Sequence, residues 1–307
     1  MNGFISVIIP TYNPGINRLN QTLDGLKTQI IGNDLWELII VDNNSSTGTL
    51  NDIDLSWSTN HKMVLEPQQG LTHARLKGFA EAKGDIIVMV DDDNVLGNSY
   101  LANILAIFND YPDLGAAGGK SIPVFEAVPP AWIKAFYGSL ALRDLGGEIL
   151  IDEWNNHYPG SAPIGAGMAI RKAALKNYLT KAASGQDLAG DRTGSNLSSG
   201  GDNDIVLEIL KSGWKVGYFP SLNLQHLVPA GRLKVTYLSK LVRQTNTSWV
   251  KLLQSHGINP WAKISRWTVP LRKLKAWFSY KAWKGEVNYI KWQGACGTFE
   301  GLSDMKK

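Results

Sequence analysis

From Phe4 to Phe108 the chain alternates between two kinds of hydrophobic pattern. Short, mostly apolar runs at Phe4–Pro10, Trp36–Asp42, Met63–Glu66 and Asp85–Val90 predict strands. Ile86–Val90 has no polar alternation at all, so this strand is expected to be buried on both faces, inside a parallel sheet. Between the strands, apolar residues recur at helical spacing. Leu19, Leu23 and Leu26 mark one helix, Gly70–Lys83 a second and Tyr100–Phe108 a third. The resulting βαβαβαβα order predicts an α/β fold, a Rossmann-like, mostly parallel sheet flanked by helices and joined by right-handed crossovers. Beyond Pro112 the pattern predicts shorter strands and Gly/Pro-rich turns, through Pro129-Pro130 and Pro159 to Met168. Residues 184–201 lack periodicity and are rich in Gly and Ser, which predicts a long mobile loop of the kind that serves as a lid. Asp202–Leu210 reads as a helix, Trp214–Phe219 and Leu222–Leu227 as two strands, and the chain from Arg232 onward as helical.

Two strands end in acid, at Asp42 and at Asp91-Asp92-Asp93. In open α/β sheets the carboxyl ends of the strands face the ligand crevice, so both acids are candidates for binding. In extended chain Asp91 and Asp93 would point the same way and Asp92 the other. Two converging carboxylates repel unless a cation joins them, and hard oxygen ligands suit Mg²⁺ or Mn²⁺ holding a phosphate group. The plainer alternative is a solvated acidic turn.

Composition is that of an ordinary globular protein, 44% hydrophobic and 19% charged over 307 residues. One cysteine, Cys296, rules out an intramolecular disulfide framework and favours a reducing compartment, and there is no Cys/His zinc pattern. The N-terminus has no basic leader and reads as a first strand rather than a signal peptide. No stretch approaches the ~20 apolar residues that span a bilayer. The net charge of +4 conceals an asymmetry: residues 1–231 hold 16 Lys/Arg against 24 Asp/Glu, and residues 232–307 hold 15 against 3. The same tail carries six of the eleven tryptophans. It is read as a membrane-surface element, a packed helical subdomain or, least favoured for want of a recognition motif, a nucleic-acid patch.

In sequence the chain resembles the family 2 glycosyltransferases of the GT-A fold. Ser6-Val7-Ile8-Ile9-Pro10-Thr11-Tyr12-Asn13 looks like their opening strand and turn, and Val41-Asp42-Asn43-Asn44-Ser45-Ser46 like their second strand with its base-binding acid. Gly70 to Gly78 is similar to their Gly-x-x-x-Ala-Arg-x-x-Gly helix, and Asp91-Asp92-Asp93 matches their Asp-x-Asp motif. Gly165-Ala166-Gly167-Met168-Ala169-Ile170-Arg171 resembles the acceptor-side strand, Gly200-Gly201-Asp202-Asn203-Asp204 the Gly-Glu-Asp motif, and His226 the strand-end metal histidine. The order is kept over residues 4 to about 230, with two departures: Gly201 stands where the family has an acid, and Leu76 where an Asn is common.

The resemblance implies a role for each of these residues. Pro10, Thr11, Tyr12, Asn13, Asp42, Arg75, Asp91 and Asp92 would bind the nucleotide of a nucleoside diphosphate sugar, the UDP-linked kind being expected. Asp93 and His226 would hold a divalent cation, Mn or Mg, and Gly165, Ala166, Gly167 and Met168 would line the acceptor side. Asp202 would be the base of an inverting single displacement, with Asp204 the alternative. Plainer roles stand beside these: Asp42 as a turn cap, Arg75 as a solvated helix residue, His226 as a structural histidine, Asp202 as the N-cap of its helix. The chain is therefore expected to comprise a glycosyltransferase domain over 1–231, with a nucleotide-binding half (1–112) and an acceptor-side half (113–231), and a basic, Trp-rich helical extension over 232–307. The expected activity is sugar transfer to a glycan or lipid-linked acceptor in surface polysaccharide or glycolipid synthesis. It would take place in the cytoplasm, peripheral to the inner face of the cell membrane, on an anionic membrane surface and without nucleic acid. The alternatives are a catalytically inactive nucleotide-sugar-binding module, or a nucleotidyltransferase or sugar-nucleotide hydrolase on a similar fold.

Overall fold

The structure is a computed structural model that describes residues 3–186, 188–193, 196–258 and 260–305. The chain resolves into two compact units. The first comprises Met1–Val124, Ala141–Asp187 and Ile205–Leu227, and the second Phe125–Leu140, Leu188–Asp204 and Val228–Lys307. Segments 125–140 and 188–204 group with the C-terminal helices in the second unit.

The first unit is built on a nine-stranded sheet. Its parallel half contains β1 (Ile5–Thr11), β2 (Trp36–Asp42), β3 (His61–Leu65) and β4 (Ile86–Met89), in the order β3-β2-β1-β4. Helices α1 (Ile16–Lys27), α2 (Leu71–Glu81) and α3 (Tyr100–Asp110) follow the predicted positions, with Leu19, Leu23 and Leu26 buried as the periodicity requires. Every residue of β1 is buried, as are Ile86–Met89, as expected for strands covered on both faces. Gly78 lets α2 lie directly on the sheet: a Cβ there would stand 2.4 Å from Ile8 Cγ2.

The remaining strands are β5 (Asn94–Leu96), β6 (Leu114–Phe125), β7 (Leu150–Asp152), β8 (Ala169–Arg171) and β9 (Lys215–Val228). They extend the sheet in the order β4-β8-β6-β9-β5, with β7 also paired to β9, and β8 runs antiparallel to β4. Two expectations are corrected. The strands beyond Pro112 are not all short, since β6 has 12 residues and β9 has 14. The runs Trp214–Phe219 and Leu222–Leu227 form this single β9, which passes through Pro220 without interruption. Between β8 and β9 come α4 (Lys176–Ala183) and α5 (Gly201–Lys211). Arg171 donates to the carbonyls of Phe108, Tyr111 and Leu114, so it satisfies backbone acceptors at the end of α3.

The second unit centres on α6 (Val235–Ser255) and α8 (Glu286–Asp304), with α7 (Val269–Ser279) between them in sequence. Gly297 brings α6 and α8 into backbone contact, because a Cβ there would lie 2.0 Å from the Arg243 carbonyl oxygen. Across this seam Asn246 Nδ2 donates to Gly294 O at 3.1 Å and Thr247 Oγ1 to Gly297 O at 3.0 Å. Arg243 and Lys273 both bond Glu300. Burial pushes that carboxyl up, but the two cations outweigh it and hold Glu300 below the usual carboxylate range. Among the described residues no helix is long and apolar enough to cross a membrane.

Candidate functional site

In the first unit the parallel strands deliver their acids to one edge of the sheet. Thr11 is in register with Asp42, and β1 lies between β2 and β4, so the chain order reverses there. A reversal of this kind opens a crevice at the carboxyl ends of the strands. Thr11, 4% exposed, donates its hydroxyl to Asp92 Oδ2 at 2.5 Å, which ties the tip of β1 to the acids that follow β4.

Those acids are not extended. Strand β4 ends at Met89, and the Asn94 N–H donates to Asp91 O at 3.0 Å, so the triplet forms a tight turn. The expectation that Asp91 and Asp93 share one side because they lie two apart in a strand is therefore corrected. Pairing of β5 with β9 decides where Asp93 goes: Asn94 lies opposite His226, and Leu227 N–H donates to Asp93 O at 2.8 Å. Asp93 Oδ1 ends 3.5 Å from His226 Nε2, with side-chain exposures of 6% and 5%. That distance exceeds a good hydrogen bond. It is close to the ~3 Å between adjacent oxygen or nitrogen donors of an octahedral cation bound at about 2.1 Å. The donor set fits a divalent cation.

Asp42 accepts from Ser45 N–H at 2.8 Å, so it does cap its own turn, and it stays partly exposed at the strand tip. Asn13, at φ 46°, accepts from Ser46 N–H at 2.8 Å and locks the β1 turn to the β2 turn. Pro10 is buried and Tyr12 is 44% exposed. Arg75 is 4% exposed, which excludes a solvated helix residue. Sequence reasoning passed over Asn43. It is buried, donates to the carbonyls of Glu66 and Gln68, and accepts from Gly70 N–H at 2.7 Å. It therefore sets the segment that leads into α2 and its Arg75. The signal was the Asn43-Asn44 pair itself, with Asn44 at φ 63°.

Gly165–Met168 was expected to be strand. The structure has a turn there, with β8 beginning at Ala169. Gly167 takes φ 75°, and a Cβ on it would lie 2.6 Å from the Tyr100 hydroxyl, which donates to Gly167 O at 2.7 Å. Burial pushes the Tyr100 phenol up, so it remains a donor. Ala166 and Met168 are buried.

In the second unit the acids of the Gly200–Asp204 segment separate clearly. Asp204 is fully buried, 2.7 Å from His256 Nε2, and also accepts from Ala189 N–H at 2.8 Å. Asp202 is partly exposed and accepts from Asn203 N–H at 3.0 Å. Helix α5 starts at Gly201, so Asp202 lies within its first turn instead of serving as N-cap. The capping acceptor is Asp191, whose Oδ1 receives the N–H groups of Gly200 and Gly201 at 3.2 and 2.8 Å. A Cβ on Gly201 would lie 2.1 Å from Asp191 Oδ2. The carboxylate missing from the motif is thus replaced in space by one from the preceding loop, whose described residues form no helix or strand before α5.

Comparison with known proteins gives a consistent result. The chain is 33% identical over 130 residues to the O-antigen chain rhamnosyltransferase WbaN of Salmonella anatum, covering 41% of this chain and 39% of that protein. It is 23% identical over 164 residues to a glucosyl-dolichyl phosphate glucuronosyltransferase of Haloferax volcanii, covering half of each. The chain therefore spans half or less of these curated relatives. Among solved structures, S. aureus TarS 1-349 in complex with UDP aligns at TM-score 0.55 and 14% identity over 98% of this chain and 90% of that one. The Pyrobaculum calidifontis mannosyltransferase PcManGT in complex with GDP-Man and Mn²⁺ aligns at TM-score 0.58 and 19% identity over 96% and 73%. At these identities the likeness establishes the fold, which is GT-A. The model of the family described as "Glycosyl transferase family 2" matches residues 6–178, more than half of the chain, and the chain belongs to that family.

Proposed function

We propose that the protein transfers a sugar from a nucleoside diphosphate sugar, UDP-linked, to a hydroxyl of a glycan or lipid-linked acceptor. The reading places it in surface polysaccharide or glycolipid synthesis, at the inner face of a membrane. The observation that carries it is the buried Asp93–His226 pair at 3.5 Å, at the strand tip that Thr11 and Asp92 tie to β1. Asp93 and His226 would hold Mn²⁺ or Mg²⁺, which when bound neutralises charge building on a departing diphosphate. Asp42 accepts from a base N–H, and Arg75 donates to a base carbonyl or packs on the ring. Thr11, Asp91 and Asp92, with Pro10, Tyr12 and Asn13, bracket the ribose and phosphates. The turn Gly165–Met168, with its side chains buried, meets an acceptor through its backbone.

Asp202 takes the proton from the acceptor hydroxyl as that oxygen attacks the anomeric carbon from the side opposite the leaving group, which inverts the configuration. Its partial exposure supports this role, whereas Asp204 is fully buried and bonded to His256 and Ala189. The UDP and UDP-GlcNAc complexes of TarS support a UDP donor, and the lipid-linked and O-antigen relatives support the acceptor class.

A thermal-shift panel of UDP-, GDP- and dTDP-sugars with and without Mn²⁺ tests the reading, since a ligand that binds the native state raises the melting temperature. A metal-dependent shift for UDP-sugars alone is expected. No shift with any of them would remove the nucleotide-sugar reading, and a GDP-sugar preference would reassign the donor.

A further inference from the structure

The basic, Trp-rich tail turns two very different surfaces outward, and α7 carries the difference. One side of α7 is packed within its unit: Ala276 is buried, the Trp277 ring stands edge-on to Trp292 with centroids 4.8 Å apart, and Lys273 bonds Glu300. Trp292 Nε1 donates to Lys273 O at 3.0 Å, which completes that side. Another side carries Leu271, Leu274 and Phe278, which are 63%, 57% and 60% exposed, and Trp267, in the turn just before α7, is 76% exposed. At about 100° per residue Leu271, Leu274 and Phe278 fall within a sector of roughly 60°. Trp283, 53% exposed, sets its ring against Phe278 at 5.8 Å and widens the patch. A water-facing row of three large apolar side chains along one helix, continued by Trp267 ahead of it, marks an interaction surface.

Charge identifies what that surface meets. Residues 261–285 contain seven Lys/Arg and no Asp/Glu. Of these, Lys263, Arg266, Arg272, Lys275, Lys281 and Lys284 are exposed, although Arg266 also bonds Asp304. Apolar centre, cationic border and tryptophans at the margins are the properties of a helix lying in the plane of an anionic bilayer interface. There the rings sit at headgroup depth and the cations meet phosphate. A second copy of the chain would bring two cationic borders together in a two-fold contact, which repels. Nucleic acid would need the cations at the centre of the contact, and the centre is apolar.

We infer that α7, through Leu271, Leu274 and Phe278 and with Trp267 in the turn just before it, is an interfacial helix that docks this protein on an anionic lipid surface. The inference deepens the peripheral location in the proposed function and rests on that part of it, while donor binding is a separate matter. All four apolar residues are exposed, so they can be changed without opening a core.

Co-sedimentation of the full chain with phosphatidylcholine vesicles, with and without phosphatidylglycerol, tests it. Binding is expected only with the acidic lipid, falling as salt rises from 0.05 to 0.5 M (~14 to ~4 Å of screening length). The triple variant Leu271→Asn, Leu274→Asn, Phe278→Asn is expected to lose binding by about tenfold or more. Arg272→Gln with Lys275→Gln is expected to lose it by about tenfold, with both variants melting like the parent. Equal binding to neutral and acidic vesicles, no binding to either, or an unaffected triple variant would overturn the inference. So would light scattering that shows a dimer lost in the triple variant, which would assign the face to a second copy. The UDP and Mn²⁺ melting shift in the same samples reports the donor reading separately: its absence with vesicle binding intact would leave the docking surface standing.

Discussion

Two Asp-x-Asp segments, Asp91–Asp93 after β4 and Asp202–Asp204 at the start of α5, look alike in sequence and are used differently in the fold. Each sends one carboxylate to a buried histidine. Asp93 stops 3.5 Å from His226, beyond a good hydrogen bond and suited to sharing a cation. Asp204 reaches His256 at 2.7 Å and also takes the Ala189 N–H, so its acceptor capacity is directed into the protein. The remaining acids are both partly exposed, but Asp92 accepts from the distant Thr11 hydroxyl and Asp202 from the adjacent Asn203 N–H. The type and spacing of acids nominate a site, and register and packing decide which groups each acid meets; Asp204 and His256 also stand with Glu208 in a group that could hold a metal ion.

The largest effect that would test this contrast is on turnover. Asp202→Asn is expected to lower transfer about 10²–10⁴-fold with UDP binding unchanged, because it keeps shape and removes basicity. Asp204→Ala is expected to act on stability instead, by about 3–5 kcal/mol for breaking a buried pair, read from chemical denaturation. Large turnover loss in Asp204→Asn, with near-normal turnover in Asp202→Asn, would reverse the assignment. Next comes the metal: EDTA should stop transfer, and Asp93→Ala should weaken Mn²⁺-dependent UDP binding about 10–100-fold, more than His226→Ala, since a carboxylate also supplies charge. Full activity in metal-free buffer would leave the Asp93–His226 pair without a metal role in transfer.

A smaller change is expected at the strand tip of β2. Asp42→Ala should weaken UDP binding by about 1–3 kcal/mol, measured calorimetrically, and parental affinity would return Asp42 to its turn with Ser45. The smallest concerns the loop acid. Asp191→Ala removes the acceptor for Gly200 and Gly201 N–H and is expected to cost about 0.5–2 kcal/mol of stability. An unchanged denaturation midpoint would show that Asp191 does not hold the start of α5.

Much of the sheet was legible in advance because its residues obey one local rule. Val7–Pro10 and Ile86–Met89 are apolar without interruption, as expected of strands covered on both faces. Leu19, Leu23 and Leu26 recur with the helical period and are buried. The family resemblance had already named His226 beside Asp93, although local pattern could not, across 133 residues. The partner of Asp204 was not legible, because His256 lies 52 residues away and local pattern carries no information over that separation. Asp191 was hidden for the same reason: nothing in a Gly/Ser-rich segment signals that its carboxylate fills the space beside Gly201. The tail shows the same limit. Its helices follow from periodicity, yet which tryptophans pack, such as Trp277 and Trp292, and which face water, such as Trp267, depends on how α7 is turned.

By itself the sequence determined the α/β order, the positions of Asp42 and the Asp91–Asp93 triplet at strand ends, the family likeness and the cationic character of the tail. Each of these is a property of neighbours in the chain. Only the tertiary structure decided how closely Asp93 approaches His226, that Asp204 meets His256, that Asp191 caps α5, and that Trp267 and three apolar residues of α7 face outward. These depend on strand register and helix rotation, which are fixed by packing between distant segments and have no local code.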